Sequence, residues 1–191
     1  MIIVGLTGLI GSGKTFALNH FKSKKIKTFS ADEEVKKILK LNYIKKKIYK
    51  KFPDVFINKK LNKNLLATRA FSQKKNLRIL EKILHPAVNK NKKNFLEKNK
   101  NKKILILEVP IIFEKKGEKN YNFIILMNVN KKVQKKRVMI RKNMTIKLFK
   151  NILKNQISNK KKKIADFIVD NSGPKVKTRK ILNKVLEEIL K

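Results

Sequence analysis

Eight residues near the start of the chain, Gly8-Leu9-Ile10-Gly11-Ser12-Gly13-Lys14-Thr15, fit the pattern G-x-x-x-x-G-K-[ST] at every fixed position. The pattern has a direct chemical reading. Glycines at positions 8, 11 and 13 let backbone N–H groups close around phosphate oxygens, and the start of a following helix adds partial positive charge. Lys14 supplies a point charge to the β- and γ-phosphates, and the Thr15 hydroxyl ligates a Mg²⁺ ion that bridges them. Ser12 and Phe16 complete the set expected to touch the nucleotide. The alternative, a glycine-rich turn without a ligand, fits poorly with an apolar run before the motif and helical periodicity after it.

Further positions carry chemistry. Asp32 follows the second apolar run, where a carboxylate can accept the proton of an attacking hydroxyl or hold a metal-bound water. The plainer reading is the N-cap of a helix beginning at Glu33, a role that can coexist with the favoured catalytic one. Glu108 ends the third run and resembles the acid that holds Mg²⁺ through water, or else is a structural acid on a strand end. Arg137 and Arg141, spaced i,i+4, share a helix face and could close over a transferring phosphoryl group; the plain alternative is two solvated arginines. The planar guanidinium fork suits phosphate, and Arg is scarce beside Lys in this chain. His85-Pro86 reads either as a helix-ending turn or as a substrate contact.

These residues need a scaffold that brings them together. Five short apolar runs alternate with helical stretches, which implies βαβ units and a parallel sheet. The runs are Ile2 to Leu6, Ile26 to Phe29, Ile104 to Pro110, Phe123 to Val129 and Asp166 to Asn171. Their unbroken apolar character is what strands covered on both faces require. About seventy residues between the second and third runs are too many for one crossover helix. There Val35, Ile38 and Leu39 share one helical face, as do Leu77, Leu80, Ile83 and Leu84, so the segment reads as a helical acceptor-binding insertion. The basic stretch from Lys131 to Lys163 suits a mobile lid, and Val176 to Leu190 a terminal helix on the sheet. The expectation is a three-layer α/β fold of the P-loop NTPase type. Its nucleotide-binding core covers 1–31, 102–130 and 164–191, its insertion 32–101 and its lid 131–163.

The chain has 191 residues, 51 of them Lys or Arg against 13 Asp or Glu, for a formal charge of +38, and it has no Cys. The missing Cys excludes disulfides, thiolate zinc sites and thiol nucleophiles, and agrees with a cytoplasmic location. The charge raises a nucleic-acid-binding ATPase as a rival class. The lysines are dispersed from Lys22 to Lys191, and no RNP aromatic motif or zinc-finger spacing accompanies them. Compositional drift with a solvated surface explains them better, so no specific nucleic acid and no membrane partner is expected. The motif fixes a nucleoside triphosphate, ATP on the kinase reading, as phosphoryl donor but serves ATPases, GTPases and kinases alike and leaves the acceptor open. A small chain with room only for an insertion and a lid favours a kinase over a switch or motor.

Several segments together resemble the dephospho-CoA kinase family. They are GLTGLIGSGKT at Gly5 to Thr15, SAD at Ser30 to Asp32, ILHPAV at Ile83 to Val88, LEVPIIFE at Leu107 to Glu114, RVMIR at Arg137 to Arg141, Gln156, and ADFIVDNSG at Ala165 to Gly173. The resemblance implies phosphorylation of the ribose 3′-hydroxyl of dephospho-CoA by ATP and Mg²⁺, giving CoA and ADP. It implies Asp32 as base, His85 and Pro110 on the acceptor side together with Glu108, Arg141 near the ATP phosphates, and Asn171 and Gly173 near the adenine. A monomer or small homo-oligomer is expected. The chain departs from the family pattern in three places. Ser30 stands where an Asp is frequent, Asn62-Lys63 stands where an Asp-Arg pair is usual, and the stretch from Gln156 to Ala165 is one residue short. A nucleoside monophosphate or shikimate kinase is the other small-molecule reading. The apolar loop Val109 to Phe113 suits a pantetheine-bearing acceptor better than a polyhydroxylated ring.

Overall fold

Unbroken aliphatic runs build the middle of the molecule. In the computed structural model, which describes residues 1–108, 120–156 and 165–191, five strands form one sheet: β1 (Ile2–Gly8), β2 (Lys27–Ser30), β5 (Ile104–Glu108), β6 (Phe123–Asn128) and β7 (Phe167–Asp170). Their order is β2-β5-β1-β6-β7, and every adjacent pair is parallel. Successive side chains of a strand point to opposite faces. Ile104 and Ile106 therefore join one apolar core, while Leu105 and Leu107 join the other. β5 is buried along its whole length, which explains why its sequence does not alternate.

The first core lies under α1 (Lys14–Ser23) and α8 (Lys175–Leu190). Ala17, Leu18 and Phe21 from α1 meet Leu182, Val185 and Ile189 from α8 over Val4, Leu6, Ile125 and Met127. Phe21, Leu6 and Leu182 are fully enclosed, and each such side chain contributes roughly 1.5–3 kcal/mol by burial.

The second core belongs to the insertion. It contains α2 (Ala31–Ile38), α3 (Asn42–Tyr49), a hairpin of β3 (Phe56–Ile57) and β4 (Lys60–Leu61), α4 (Lys63–Ser72) and α5 (Lys74–Lys98). The hairpin is an addition to the all-helical insertion read from periodicity. Its two-residue loop, Asn58-Lys59, has positive φ at both positions, as a tight hairpin turn requires. Leu84 on α5 joins Phe29 and Leu105 in this core, with Leu80 and Ile83 beside it, and Leu77 on the same helix is also buried.

His85-Pro86 does not end a helix. Pro86 lies inside α5, which continues to Lys98. Proline removes one backbone hydrogen bond there, but buried Leu84 and Val88 anchor the helix on both sides of it. Beyond β6 come α6 (Lys131–Met139) and α7 (Ile146–Asn155), in the segment read as the lid. α7 rests against α4. The lysine run 160–163 lies outside the described residues. Among the described residues no helix is long and apolar enough to cross a membrane.

Candidate active site

Parallel strands deliver their C-terminal ends to one edge, and the loops there meet in a crevice. Gly8 ends β1, Ser30 ends β2 and Glu108 ends β5. The register sets Ser30 opposite Glu108 and Leu6 opposite Glu108. The loop from Gly8 to Gly13 leads into α1, whose N-cap is Gly13 in the left-handed region. Only glycine fits there, since a Cβ at Gly13 would collide with the Asn171 carboxamide. No side chain caps α1 and its first turn has no acid, so its end is open to an anion.

A cavity of about 820 Å³ opens at this edge. One wall is polar: Gly11, Gly13, Lys14, Thr15, Ser30, Asp32, Glu108, Arg137 and Arg141. The other wall is largely aliphatic, with Val35, Leu39, Leu66, Ala67, Ala70, Leu77, Leu80 and Leu84. α2 supplies both kinds, with Asp32 in its first turn, Val35 further along and Leu39 as the C-cap that follows it.

The polar wall is closely connected. Lys14 Nζ donates to the Gly8 carbonyl at 3.1 Å and stands 3.9 Å from Glu108. The Ser30 hydroxyl donates to Glu108 at 2.5 Å and accepts the Glu33 N–H at 3.3 Å. Burial, helped by the negative charge of Asp32, pushes the Glu108 carboxyl above the usual carboxylate range. The Ser30 hydrogen bond and the Lys14 ammonium pull the other way. The N-cap of α2 is therefore Ser30 and not Asp32. A side chain two positions earlier already satisfies the helix start, which frees the Asp32 carboxylate to line the cavity.

The expected residues do not all meet here. Thr15, Phe16, Arg137, Arg141 and Asn171 line the cavity with Lys14 and Asp32. Ser12 Oγ is buried with no hydrogen-bond partner among the described residues, and so is Arg137 Nη1. Both are donors suited to phosphate oxygens. Phe16 also carries the Arg179 guanidinium 5.7 Å above its ring. Asn171 is buried, donates to the Ser12 carbonyl at 2.8 Å and accepts from Thr178 at 3.0 Å. Its carboxamide thus braces the phosphate loop. Gly173 is exposed beyond the cavity wall, and His85 sits on α5 outside that wall although its neighbour Leu84 is part of it. Pro110 lies outside the described residues.

Sequence reasoning missed Lys175, Glu81, Lys63 and Gln134. The first three line the cavity, and Gln134 touches the phosphate loop from behind. Lys175 opens α8 directly after the last strand, a place that topology alone could have marked. Asn62 caps α4 by accepting two N–H groups, and Lys63 keeps a cation on the cavity wall at that site.

The oxygens of Thr15, Asp32 and Glu108 share one wall and are hard donors of the kind Mg²⁺ takes, with substrate phosphates and water completing its shell. Among the described residues no three His, Cys, Asp or Glu side chains form a dedicated metal cage.

The model of the dephospho-CoA kinase family (CoaE) matches residues 2–177. A dephospho-CoA kinase from Bartonella henselae is 37% identical over the whole of both chains. A solved structure of a Thermus thermophilus protein superposes over 100% of this chain and 98% of its own, with a TM-score of 0.80 at 24% identity. A dephospho-CoA kinase structure from Campylobacter jejuni covers 98% of this chain and 96% of its own, with a TM-score of 0.62 at 28% identity.

Proposed function

The chain belongs to the dephospho-CoA kinase family, and on that premise we propose that it transfers the γ-phosphoryl group of ATP to the ribose 3′-hydroxyl of dephospho-CoA, as a phosphotransferase with an alcohol acceptor. One observation carries the reading. A single cavity joins a phosphate-binding loop to an aliphatic wall, and Asp32 stands on the helix that serves both. A triphosphate suits the polar wall. A ligand with a long, flexible, mostly uncharged arm suits the aliphatic one.

The chain's residues divide the work. Backbone N–H groups of the loop, Ser12 and Lys14 hold the β- and γ-phosphates. Bound Mg²⁺ would neutralise charge on those oxygens, with Thr15 as its direct ligand and Asp32 or Glu108 through water. Asp32 takes the proton of the acceptor hydroxyl as the new oxygen–phosphorus bond forms and the bond to the ADP oxygen breaks. Arg137 and Arg141 stabilise the charge of the phosphoryl group in flight. Aliphatic side chains of α2, α4 and α5 hold the arm of the acceptor and exclude water from it.

An assay of ADP release with Mg-ATP and dephospho-CoA tests this, with the product identified by its phosphorylated position. The expected product is CoA carrying a 3′-phosphate. Asp32→Asn should lose about 10²-fold or more in turnover while binding Mg-ADP like the parent. Turnover of Asp32→Asn near the parent rate would remove Asp32 as base. Failure of the parent to phosphorylate dephospho-CoA would remove the substrate assignment.

A further inference from the structure

The phosphate loop is held by side chains from distant parts of the chain as well as from within its own turn. Three carboxamides hold its backbone. Gln134 Nε2 donates to the Ile10 carbonyl at 2.7 Å. Gln156 Oε1 accepts the Ile10 N–H at 2.9 Å. Asn171 Nδ2 donates to the Ser12 carbonyl at 2.8 Å. The direction of each bond is settled by chemistry, since a carbonyl only accepts and an N–H only donates.

The two glutamines come from a different part of the chain than the loop. Gln134 is one turn into α6, is 4% exposed, and presents a neutral donor in a segment where its neighbours are lysines. Gln156 closes the C-terminal end of α7. Both helices lie in the segment between β6 and β7, and α7 also packs on α4 across the cavity. The start of α6 is itself pinned. Asn130 caps the helix and donates its backbone N–H to Ser172 at 2.7 Å, in the turn after β7. Where Gln134 arrives, there is no slack. A Cβ on Gly11 would press Val138 at 2.7 Å and the Gln134 side chain at 3.3 Å.

We propose that Gln134 and Gln156 are positioning residues for phosphoryl transfer, holding the two peptide groups that flank Ile10 and so tying the shape of the phosphate cradle to helices α6 and α7. The physical reason is economy of hydrogen bonds. A loop that turns its N–H groups inward to an anion leaves other peptide groups facing out. Those outward groups must find partners when buried. Carboxamides satisfy them without adding charge beside a triphosphate. They also make the loop's geometry depend on where α6 and α7 sit, and these helices carry Arg137 and wall residue Ile152. The proposal rests on the nucleotide-binding half of the functional reading and not on the identity of the acceptor.

The test compares Gln134→Met, Gln134→Glu, Gln156→Met and Gln156→Glu, each read by Mg-ADP calorimetry and by the KM values for ATP and acceptor. Methionine keeps the bulk and removes the hydrogen bond. Both methionine variants should weaken Mg-ADP about tenfold, the worth of one lost hydrogen bond. KM for ATP should rise similarly, with KM for the acceptor within about twofold of the parent on the same estimate. The glutamate pair separates positioning from general structural damage. Gln156→Glu retains an acceptor for the Ile10 N–H, whereas Gln134→Glu sets an acceptor against the Ile10 carbonyl. The two carry the same added charge, so Gln156→Glu should bind Mg-ADP more tightly than Gln134→Glu. Parent-like Mg-ADP affinity in both methionine variants, or equal affinity in both glutamate variants, overturns the proposal. If Gln134→Met fails to fold, Gln156→Met decides alone: Mg-ADP binding about tenfold weaker than the parent supports the proposal, and parent-like binding overturns it. The calorimetry needs no acceptor, so a wrong substrate assignment leaves this result standing.

Discussion

The two walls of the cavity are held in shape by different physics. The phosphate wall is a hydrogen-bonded frame: Lys14 on the Gly8 carbonyl, Ser30 on Glu108, and carboxamides on the peptides of Ile10 and Ser12. The opposite wall is a packed helical surface whose residues Leu66 and Leu84 are also core side chains of the insertion. In the proposed function, the polar groups of the first wall are set in advance for charge that arrives with the substrate, which is where electrostatic catalysis acts. On the second, side chains that stabilise the fold also line the cavity and would form the proposed acceptor surface. The first wall should therefore tolerate substitution in stability but not in turnover, and the second should couple acceptor affinity to folding.

Substitutions on each wall test that contrast. The largest effect is expected from Lys14→Ala, which removes the point charge aimed at the phosphates. Turnover should fall about 10³-fold, with the melting temperature close to the parent because Lys14 gives up only one hydrogen bond, to the Gly8 carbonyl, and a long 3.9 Å contact with Glu108. A large loss of stability would break the comparison. Next comes Leu66→Ala on α4. It should cost about 2–4 kcal/mol in denaturant unfolding and raise KM for the acceptor while leaving KM for ATP unchanged. Equal rises in both KM values would show that the walls are not separable.

The smallest effect concerns Glu108. Its folded-state pKa is raised, chiefly by burial. Its contribution to stability is therefore fully present below the ordinary carboxylate value of about 4.3 and is lost as pH rises through the raised value. Gln at 108 cannot ionise, so Glu108→Gln should melt higher than the parent at neutral pH, with the gap closing as pH falls to about 4. A gap that widens on acidification would mean that Lys14 and Ser30 outweigh burial at this carboxylate.

Most of the phosphate wall was legible in the sequence, because the loop motif is contiguous and each fixed residue has one local reason to be there. The five strands were legible for a similar reason: a strand covered on both faces cannot alternate, and each of these is an apolar run. Their ends shifted by one or two residues, as at β2, read as Ile26 to Phe29 and found as Lys27–Ser30. The β3–β4 hairpin was hidden because each strand has only two residues and the turn, Asn58-Lys59, lacks the glycine that marks such turns. His85-Pro86 misled because proline is a local breaker, whereas the burial that carries α5 through it is a long-range effect. The role of Asp32 against Ser30 at the helix start was likewise undecidable locally, since both residue types cap helices.

The chain's own order of residues determined the glycine-rich loop, the parallel α/β scaffold and the edge at which the strand ends converge. All three follow from patterns whose causes lie within a few turns of backbone. Tertiary structure decided which polar side chains reach that edge and in what role. Ser30 meets Glu108 across 78 positions of sequence, and Gln156 meets Ile10 across 146. Hydrogen bonds of that span depend on how separate helices dock, and docking is set by the packing of the whole core.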